Sequence, residues 1–113
     1  MEIIRAPITI EELREKHMHF FKSIVKAVVD IKRKVVAVDG ELHSDLEKLL
    51  LEVGSSQDDL WGINIYPFKD RDNFIEYSAL INIRPHQDNF SMEVEDLTIR
   101  KKIEDIVKTL IRE

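Results

Sequence analysis

Two short segments of the chain carry the same alternation of side chains, at residues 63–67 and 81–85. Each alternates isoleucines with polar residues and ends in proline, which lacks the N–H that would extend a strand. Successive side chains of a strand point to opposite faces, so the polar groups would share one face. Amide, phenol and guanidinium donors on one face suit a carboxylate or phosphate ligand. The polar members are Asn64, Tyr66, Asn82 and Arg84, with Glu76 and Ser78 further along.

Two β-branched runs, at residues 26–31 and 34–39, predict a hairpin that extends the same polar face. If a two-residue turn joins them, Lys26 lies opposite Asp39 and next to Asp30. The opposite face of this hairpin would then hold Ala27, Val29, Val36 and Val38.

The sequence therefore predicts a binding face for a small anionic ligand, completed by the loop at residues 86–89. The predicted ligand-binding residues are Lys26, Asp30, Asp39, Asn64, Tyr66, Asn82, Arg84, Gln87 and Asn89. Two alternatives remain open, because a polar sheet face can also be solvated or can contact a second copy of the chain. The second alternative gains weight from the apolar side chains on the same face, which are Val28, Val35, Ala37 and Leu80.

Carboxylates and a histidine recur at every second position after the first hairpin. In an extended segment this spacing puts the side chains on one side, where they could bind Mn²⁺, Fe²⁺ or Zn²⁺. The candidate metal ligands are Glu41, His43 and Asp45, joined by His86 from the later loop. The alternative is ordinary helix capping, because Ser44 begins a capping box and acidic residues favour the positive end of a helix.

The composition of the chain argues against several classes of protein function. Seventeen basic and 22 acidic residues among 113 give a net charge of −5, which argues against binding to nucleic acid or to an anionic membrane. The absence of cysteine excludes disulfides, zinc–thiolate sites and thiol catalysis. No apolar run approaches the roughly 20 residues of a membrane span, and no secretory signal is recognisable, so we expect a soluble, cytoplasmic protein. Few glutamines beside many lysines, arginines and glutamates favour a thermophilic source.

Apolar periodicity predicts helices near residues 9–23, 44–53 and 96–110, with Thr9 and Asp96 as caps. With the two hairpins between them, the element order is α-β-β-α-β-β-α. A chain of this length can bury one core, so we predict a single domain over residues 1–113. The expected fold is α+β, with a four-stranded, mainly antiparallel sheet and the two long helices packed on one face.

Several segments together form a recognisable pattern, above all Trp-Gly-Ile-Asn at 61–64, Ile-Asn-Ile-Arg-Pro at 81–85, and the residues around 26–30 and 40–43. Over nearly the whole chain this pattern resembles a family of short prokaryotic proteins that is catalogued as a domain of unknown function. The resemblance implies a stand-alone prokaryotic protein and no assigned reaction. One departure is Asp88, where the family pattern has glycine, so a positive-φ turn at that position would be less favourable.

The sequence favours a small non-catalytic binding or interaction domain that uses the polar sheet face and the loop at 86–89. We expect it to form a homo-oligomer, such as a dimer, and to need no cofactor. The alternative is a small metal-assisted hydrolase with a divalent metal bound by Glu41, His43, Asp45 and His86.

Overall fold

The computed structural model describes all 113 residues. The strands are β1 (Glu2–Ile4), β2 (Ile8–Thr9), β3 (Val25–Asp30), β4 (Val35–Val38), β5 (Leu60–Ile65), β6 (Ile75–Glu76) and β7 (Ile111–Arg112). The helices are α1 (Ile10–Lys16), α2 (His43–Glu52) and α3 (Leu97–Leu110). None of them is both long enough and apolar enough to span a bilayer.

Five strands form one antiparallel sheet in the order β1-β4-β3-β5-β6. The two remaining strands, β2 and β7, make a short parallel pair. The α+β class and the mainly antiparallel sheet are therefore confirmed. The predicted number of four strands is wrong, because the N-terminal residues pair with β4 as an additional edge strand.

The register of the β3–β4 hairpin agrees with the alternation in its sequence. Ala27 pairs with Val38, and the backbone N–H of Asp39 donates to the carbonyl of Lys26 at 3.2 Å. Lys26 and Asp39 are thus neighbours across the hairpin, as predicted. The opposite face is fully buried and holds Ala27, Val29, Val36 and Val38.

The turn of this hairpin is longer than the predicted two residues and spans residues 31–34. Asp30 shapes it, because its Oδ1 accepts the backbone N–H groups of Lys32 and Arg33 at 3.0 and 2.9 Å. This arrangement satisfies two turn donors that a strand ladder would leave unpaired. The turn closes at Lys34, whose φ of 59° lies in the left-handed region.

The first and last helices, α1 and α3, pack on the same face of the sheet as predicted, but α2 covers the other face, where no helix was predicted. Leu13 of α1 and Ile103 of α3 join the core on the face of Val29. On the other face, α2 places Leu46 and Leu50 over an apolar patch. That patch attracts the helix because it would otherwise expose Val28, Val35, Ala37 and Leu60 to water.

Residues 81–84 do not form the predicted strand. The segment Leu80–Asn82 is a short 3₁₀ turn, and a second one follows at Pro85–Gln87. The isoleucines consequently do not share a buried face, and Ile83 is exposed. The similarity to residues 63–67 is therefore confined to the sequence.

The first helix ends at Lys16, well before the predicted limit near Ser23. Its predicted cap is present, with Thr9 Oγ1 accepting the N–H of Glu12 at 3.0 Å. The helix stops early because the chain turns away and the backbone N–H of His19 donates to the Asp39 carboxylate at 2.9 Å. A long-range contact thus replaces the helical hydrogen bonds that the local pattern favoured.

The other two helices differ in how well their start was predicted. Asp96 caps α3, accepting the N–H of Thr98 at 2.7 Å. In α2 the N-cap is Leu42, and no side chain caps the helix. The capping box predicted from Ser44 is therefore not used, since the helix already includes that residue.

Candidate functional site

A row of polar residues crosses the sheet at the end that borders the first turn of α2. Lys26 of β3 pairs with Asn64 of β5, and Asn64 pairs with Glu76 of β6. Asp39 occupies the next register position on the other side of Lys26. We call Asp39, Lys26, Asn64 and Glu76 the polar row. Three of its members belong to the predicted ligand-binding set, and their common origin is strand alternation.

A groove of about 450 Å³ lies over the middle of this row. Its polar lining comprises Lys26, His43, Asn64, Glu76 and Ser78. Apolar side chains complete the walls, among them the well-exposed Leu42, Leu80 and Met92. The volume falls within the range of roughly 300–1,000 Å³ that is typical of small-molecule sites. We call this cavity the sheet-end groove.

Lys26 is the cation of the sheet-end groove. Its Nζ lies 5.1 Å from the centre of the Phe21 ring, close enough for a cation–π contact. It makes no ion pair, although eight ion pairs form elsewhere in the chain. The side chain is partly buried, so its charge is held in place rather than fully solvated. An ammonium group in this state can pair with an incoming anion.

Glu76 organises the outer end of the groove. Its Oε1 accepts hydrogen bonds from Asn64 Nδ2 at 2.7 Å and from the Tyr66 hydroxyl at 3.2 Å. Burial and the neighbouring Glu76 charge raise the pKa of Tyr66, which keeps the phenol protonated as a donor. Asn64 Oδ1 is buried and has no hydrogen-bond partner. The Tyr66 hydroxyl, which was predicted to bind a ligand, therefore donates its hydrogen bond to Glu76 instead.

His43 enters the groove from the first turn of α2. Its Nε2 donates to the carbonyl of Ile63 at 2.8 Å, which fixes Nδ1 as the unprotonated nitrogen of the neutral ring. Burial lowers the pKa of His43, and the nearby Lys26 charge lowers it further. The imidazole is therefore neutral near pH 7. The sequence had suggested His43 only as a metal ligand, and its place beside Lys26 required the tertiary structure.

An aspartate–histidine pair lies at the inner end of the polar row. The Asp39 carboxylate is 5% exposed and accepts both the backbone N–H and the Nδ1–H of His19. The side chain of His19 is 69% exposed, and its Nε2 has no partner. Asp39 also holds a φ of 66°, which is uncommon outside glycine. The alternation in sequence identified Asp39 but gave no signal for His19.

Asn82 lies close to the polar row but serves the edge of β5. It is fully buried, its Oδ1 accepts the N–H of Gly62 at 2.8 Å, and its Nδ2 donates to the Gly62 carbonyl at 2.9 Å. Nδ2 also donates to the carbonyl of Met92 at 3.0 Å. The amide thus replaces a neighbouring strand at Gly62. This engagement differs from the exposed position that the sequence pattern predicted.

Arg84 donates to the same edge of β5 at Leu60, two residues before Gly62. Its Nη2 donates to the carbonyl of Leu60, and its Nε donates to the carbonyl of Ile81 at 3.1 Å. The guanidinium lies over Trp61, 4.9 Å from the ring centre, and pairs with Glu47 at 3.4 Å. Burial lowers the pKa of Arg84 from a high starting value, and the group stays charged. Arg84 is 4% exposed, so the predicted exposed guanidinium is instead a structural one.

Asn89, another member of the predicted set, is also buried. Its Nδ2 donates to the carbonyls of Asn82 and Glu93 at 2.7 and 2.8 Å, and its Oδ1 accepts the N–H of Glu95 at 2.9 Å. These bonds tie the segment after the second 3₁₀ turn to the approach of α3. The carboxamide has no free group to offer a ligand in this arrangement.

The remaining predicted residues, Asp30 and Gln87, lie away from the polar row. Asp30 is buried, with its second oxygen accepting from Ser55 Oγ at 2.6 Å. Gln87 accepts from Arg84 at 3.1 Å and donates to the carbonyl of Asp58 at 3.0 Å. The structure therefore brings Lys26, Asn64 and Asp39 together, with Tyr66 at one end, and assigns the others to turns and loop contacts.

The predicted metal cluster does not form. No group of three or more side chains capable of holding a metal ion occurs anywhere in the structure. His43 uses its Nε2 on a backbone carbonyl, and His86 pairs with Asp58 at 3.1 Å. Glu41 and Asp45 are exposed at the start of α2. Alternate positions do not converge here, because the chain becomes helical at residue 43 and the period-two spacing is lost.

Neither the curated proteins nor the solved structures include a significant match to the chain. One family model does match, over residues 2–110, and its description reads protein of unknown function (DUF5674). The match covers nearly the whole sequence, in agreement with the resemblance noted from the residues around Trp61 and Asn82. The chain therefore belongs to the DUF5674 family of proteins of unknown function.

Proposed function

We propose that the protein is a ligand-binding domain whose sheet-end groove holds a small organic anion. The observation that carries the proposal is the unpaired ammonium of Lys26 in a concave, partly apolar site. A cation that already lies in a groove gains more from an anionic partner than one in bulk water, because the surroundings screen it less.

The walls of the groove favour an anion with an aliphatic portion. Leu42, Leu80 and Met92 are all more than 40% exposed, and they lie around the same cavity. Covering apolar surface of this kind contributes roughly 25 cal/mol for each Å² removed from water. A carboxylate with a short alkyl chain would place its charge at Lys26 and its chain against these three residues.

Two polar groups of the groove are already fixed, and the atoms that they leave free, His43 Nδ1 and Asn64 Oδ1, are acceptors, so Lys26 is the donor for the carboxylate. Neutral His43 presents a ring whose tautomer is set by Ile63, and Asn64 is held by Glu76. Because these contacts exist before a ligand arrives, binding would lose little additional side-chain entropy. The groove is thus preorganised on its polar side.

The test is a nuclear magnetic resonance titration with hexanoate, compared with hexanol and hexylamine. We expect saturable shifts of backbone resonances around Lys26 and Asn64 with hexanoate only. Lys26→Met keeps the length of the side chain and removes its charge, so it should weaken hexanoate by roughly tenfold, the factor that corresponds to about 1.4 kcal/mol. The matched control is Lys48→Met, at an exposed position of α2.

Equal affinity of the wild type and the Lys26→Met variant for hexanoate would overturn the proposal. So would equal binding of hexylamine, since a cation cannot pair with Lys26. Thermal unfolding of both variants checks that the fold is retained.

A second candidate function is proton transfer or nucleophilic chemistry at His19, and one observation favours it. Asp39 holds the proton on Nδ1, so the lone pair of Nε2 faces solvent. A carboxylate that accepts the Nδ1–H of an imidazole fixes its tautomer and its orientation. Because the His19 side chain is exposed, its contact with the buried Asp39 adds little to stability, and we infer a chemical role for the pair instead.

The reactivity of each imidazole toward diethyl pyrocarbonate tests this second candidate. We expect His19 to react several-fold faster than His86, whose Nε2 is occupied by Asp58. Asp39→Asn should slow the reaction at His19 alone, and asparagine also tolerates the left-handed backbone. Equal rates at the two histidines, or no effect of the variant, would remove the candidate.

Self-association is a further proposal that the exposed apolar side chains support. Leu80, Phe90 and Met92 are exposed in the segment that borders the sheet-end groove. A second copy of the chain could cover them, as the sequence suggested. Sedimentation velocity should then detect a dimer that Leu80→Ser weakens, whereas a monomer at all concentrations would contradict the proposal.

A further inference from the structure

A second cavity lies on the opposite side of the molecule, between the turn of the β3–β4 hairpin and α3. Its volume is about 550 Å³. Ile31 of the turn and Ile106 and Leu110 of the helix supply its apolar lining. The helix residues belong to the hydrophobic core, so the cavity opens directly onto a rigid part of the fold. We call it the hairpin–helix cavity.

Two lysines line this cavity, Lys34 from the turn and Lys102 from α3. Neither makes an ion pair. The neighbouring lysines of α3 behave differently, since Lys101 pairs with Asp105 at 3.1 Å and Lys108 pairs with Glu104 at 3.7 Å. Acidic partners are therefore close by, but they are used by lysines outside the cavity.

The two other polar members of the lining are Asp105 and Thr109, and neither pairs with Lys34 or Lys102. Asp105 is engaged by Lys101, and the Thr109 hydroxyl donates to the Asp105 carbonyl at 2.7 Å. The oxygen of that hydroxyl keeps free lone pairs and can only accept further hydrogen bonds. The cavity thus combines two unpaired cations with an apolar floor in a protein of net charge −5.

We propose that the hairpin–helix cavity binds an organic phosphate monoester. Two ammonium groups from different elements match the charge of a phosphate dianion, and lysine binds phosphate as a point charge. The apolar floor formed by Ile31, Ile106 and Leu110 accepts the organic group. A carboxylate of equal size carries only one charge and would leave one lysine unpaired. This site is separate from the sheet-end groove and stands independently of the function proposed there.

Phenyl phosphate is a suitable probe, because it joins a dianion to an apolar ring at about pH 7.5, above the second phosphate pKa of about 6. A nuclear magnetic resonance titration should produce saturable shifts at Ile31, Lys102 and Thr109. Inorganic phosphate and phenol, titrated separately, should each bind at least several-fold more weakly. Affinity should also fall as salt is added, since the lysines are near solvent.

The double variant Lys34→Gln/Lys102→Gln should weaken phenyl phosphate by roughly tenfold, which corresponds to about 1.4 kcal/mol for the two lysines together. The matched control, Lys108→Gln, removes a lysine of the same helix that lies outside the cavity and pairs with Glu104, and should change affinity less than twofold. The charge-preserving pair Lys34→Arg/Lys102→Arg should retain binding. Lys26→Met, in the other groove, should have no effect.

Two results would overturn the inference. One is the absence of saturable shifts in the wild type with phenyl phosphate. The other is a double glutamine variant that binds as tightly as Lys108→Gln. Thermal unfolding of each variant establishes that the fold is intact, and the positions of Lys34 and Lys102 at the surface make loss of folding unexpected.

Discussion

The edge of β5 gives the sharpest test of how this fold is held together. Gly62 has no strand partner on that side, and the Asn82 carboxamide satisfies both its N–H and its carbonyl. We predict that Asn82→Ala destabilises the protein strongly, because it leaves two buried backbone groups unpaired. The third bond, to the Met92 carbonyl, matters less, since that carbonyl also accepts the N–H of Ala79 at 3.0 Å.

The magnitude follows from this count of groups. An unsatisfied buried donor or acceptor costs about 1–3 kcal/mol, so two of them cost about 2–6 kcal/mol. The total stability of a domain is only about 5–15 kcal/mol, so the loss is a large fraction of it. In thermal unfolding, a loss near 3 kcal/mol corresponds to a fall of roughly 10–20 °C in Tm for a domain of this size.

Urea unfolding followed by circular dichroism measures the effect. The free energy of unfolding should fall while the slope with urea stays constant, since the unfolded surface is nearly unchanged. Asn82→Asp should be at least as damaging, because it keeps the acceptor for Gly62 but places a charge against two carbonyls. The control is Asn73→Ala, an exposed amide bonded to Asp70 at 2.8 Å, with an expected cost below about 1 kcal/mol.

A cost for Asn82→Ala no larger than that of Asn73→Ala would refute the reasoning. It would mean that water or a shifted backbone can replace the carboxamide at Gly62. Asn82 would then be available for another role, including the ligand contact that its position in the sequence suggested.

Three further predictions concern close packing, pH and backbone conformation. Gly62→Ala should destabilise by about 1–3 kcal/mol, because its new Cβ would lie 2.5 Å from that of Ala79, and Ala79→Gly in the same chain should recover part of the loss in urea unfolding. Because the pKa of His43 is lowered in the folded protein, the unfolded chain binds a proton more readily at this residue. The free energy of unfolding should therefore decline as pH falls through and below about 6.5, and His43→Gln should reduce that decline. Equal pH slopes for the wild type and the variant would contradict this prediction. At Asp88, where φ is 57°, replacement by glycine should change stability by less than about 1 kcal/mol, but valine should cost at least about 1–2 kcal/mol, and equal values would show that the turn relaxes.

Features that depend on neighbours in sequence were predicted well. Thr9 and Asp96 cap their helices, and the β3–β4 register places Lys26 beside Asp39. Each of these depends on side chains and backbone groups only a few residues apart, or on a turn that fixes the pairing of two adjacent strands. The expectation at Asp88 was less accurate: a positive-φ turn was expected to be less favourable with aspartate in place of the family's glycine, yet its φ is 57°.

The candidate site was predicted in part. Lys26 and Asn64 line the sheet-end groove, as alternation required, but Asp30 is used in a turn. His43 lies in the groove because α2 covers a face of the sheet where no helix was predicted. His19 contacts Asp39 from the loop that follows α1. Neither histidine has a local pattern that reveals its partner, because each partner lies 20 residues away in sequence.

The sequence by itself determined the chemistry of each segment and the faces of the regular strands, because alternation and capping act over a few residues. The tertiary structure alone decided which of two nearly identical segments became a strand. Residues 63–65 pair with β3, whereas residues 81–82 turn so that one carboxamide can complete the edge beside Gly62. Local patterns cannot distinguish the two outcomes, since the deciding hydrogen bonds join groups far apart in the chain.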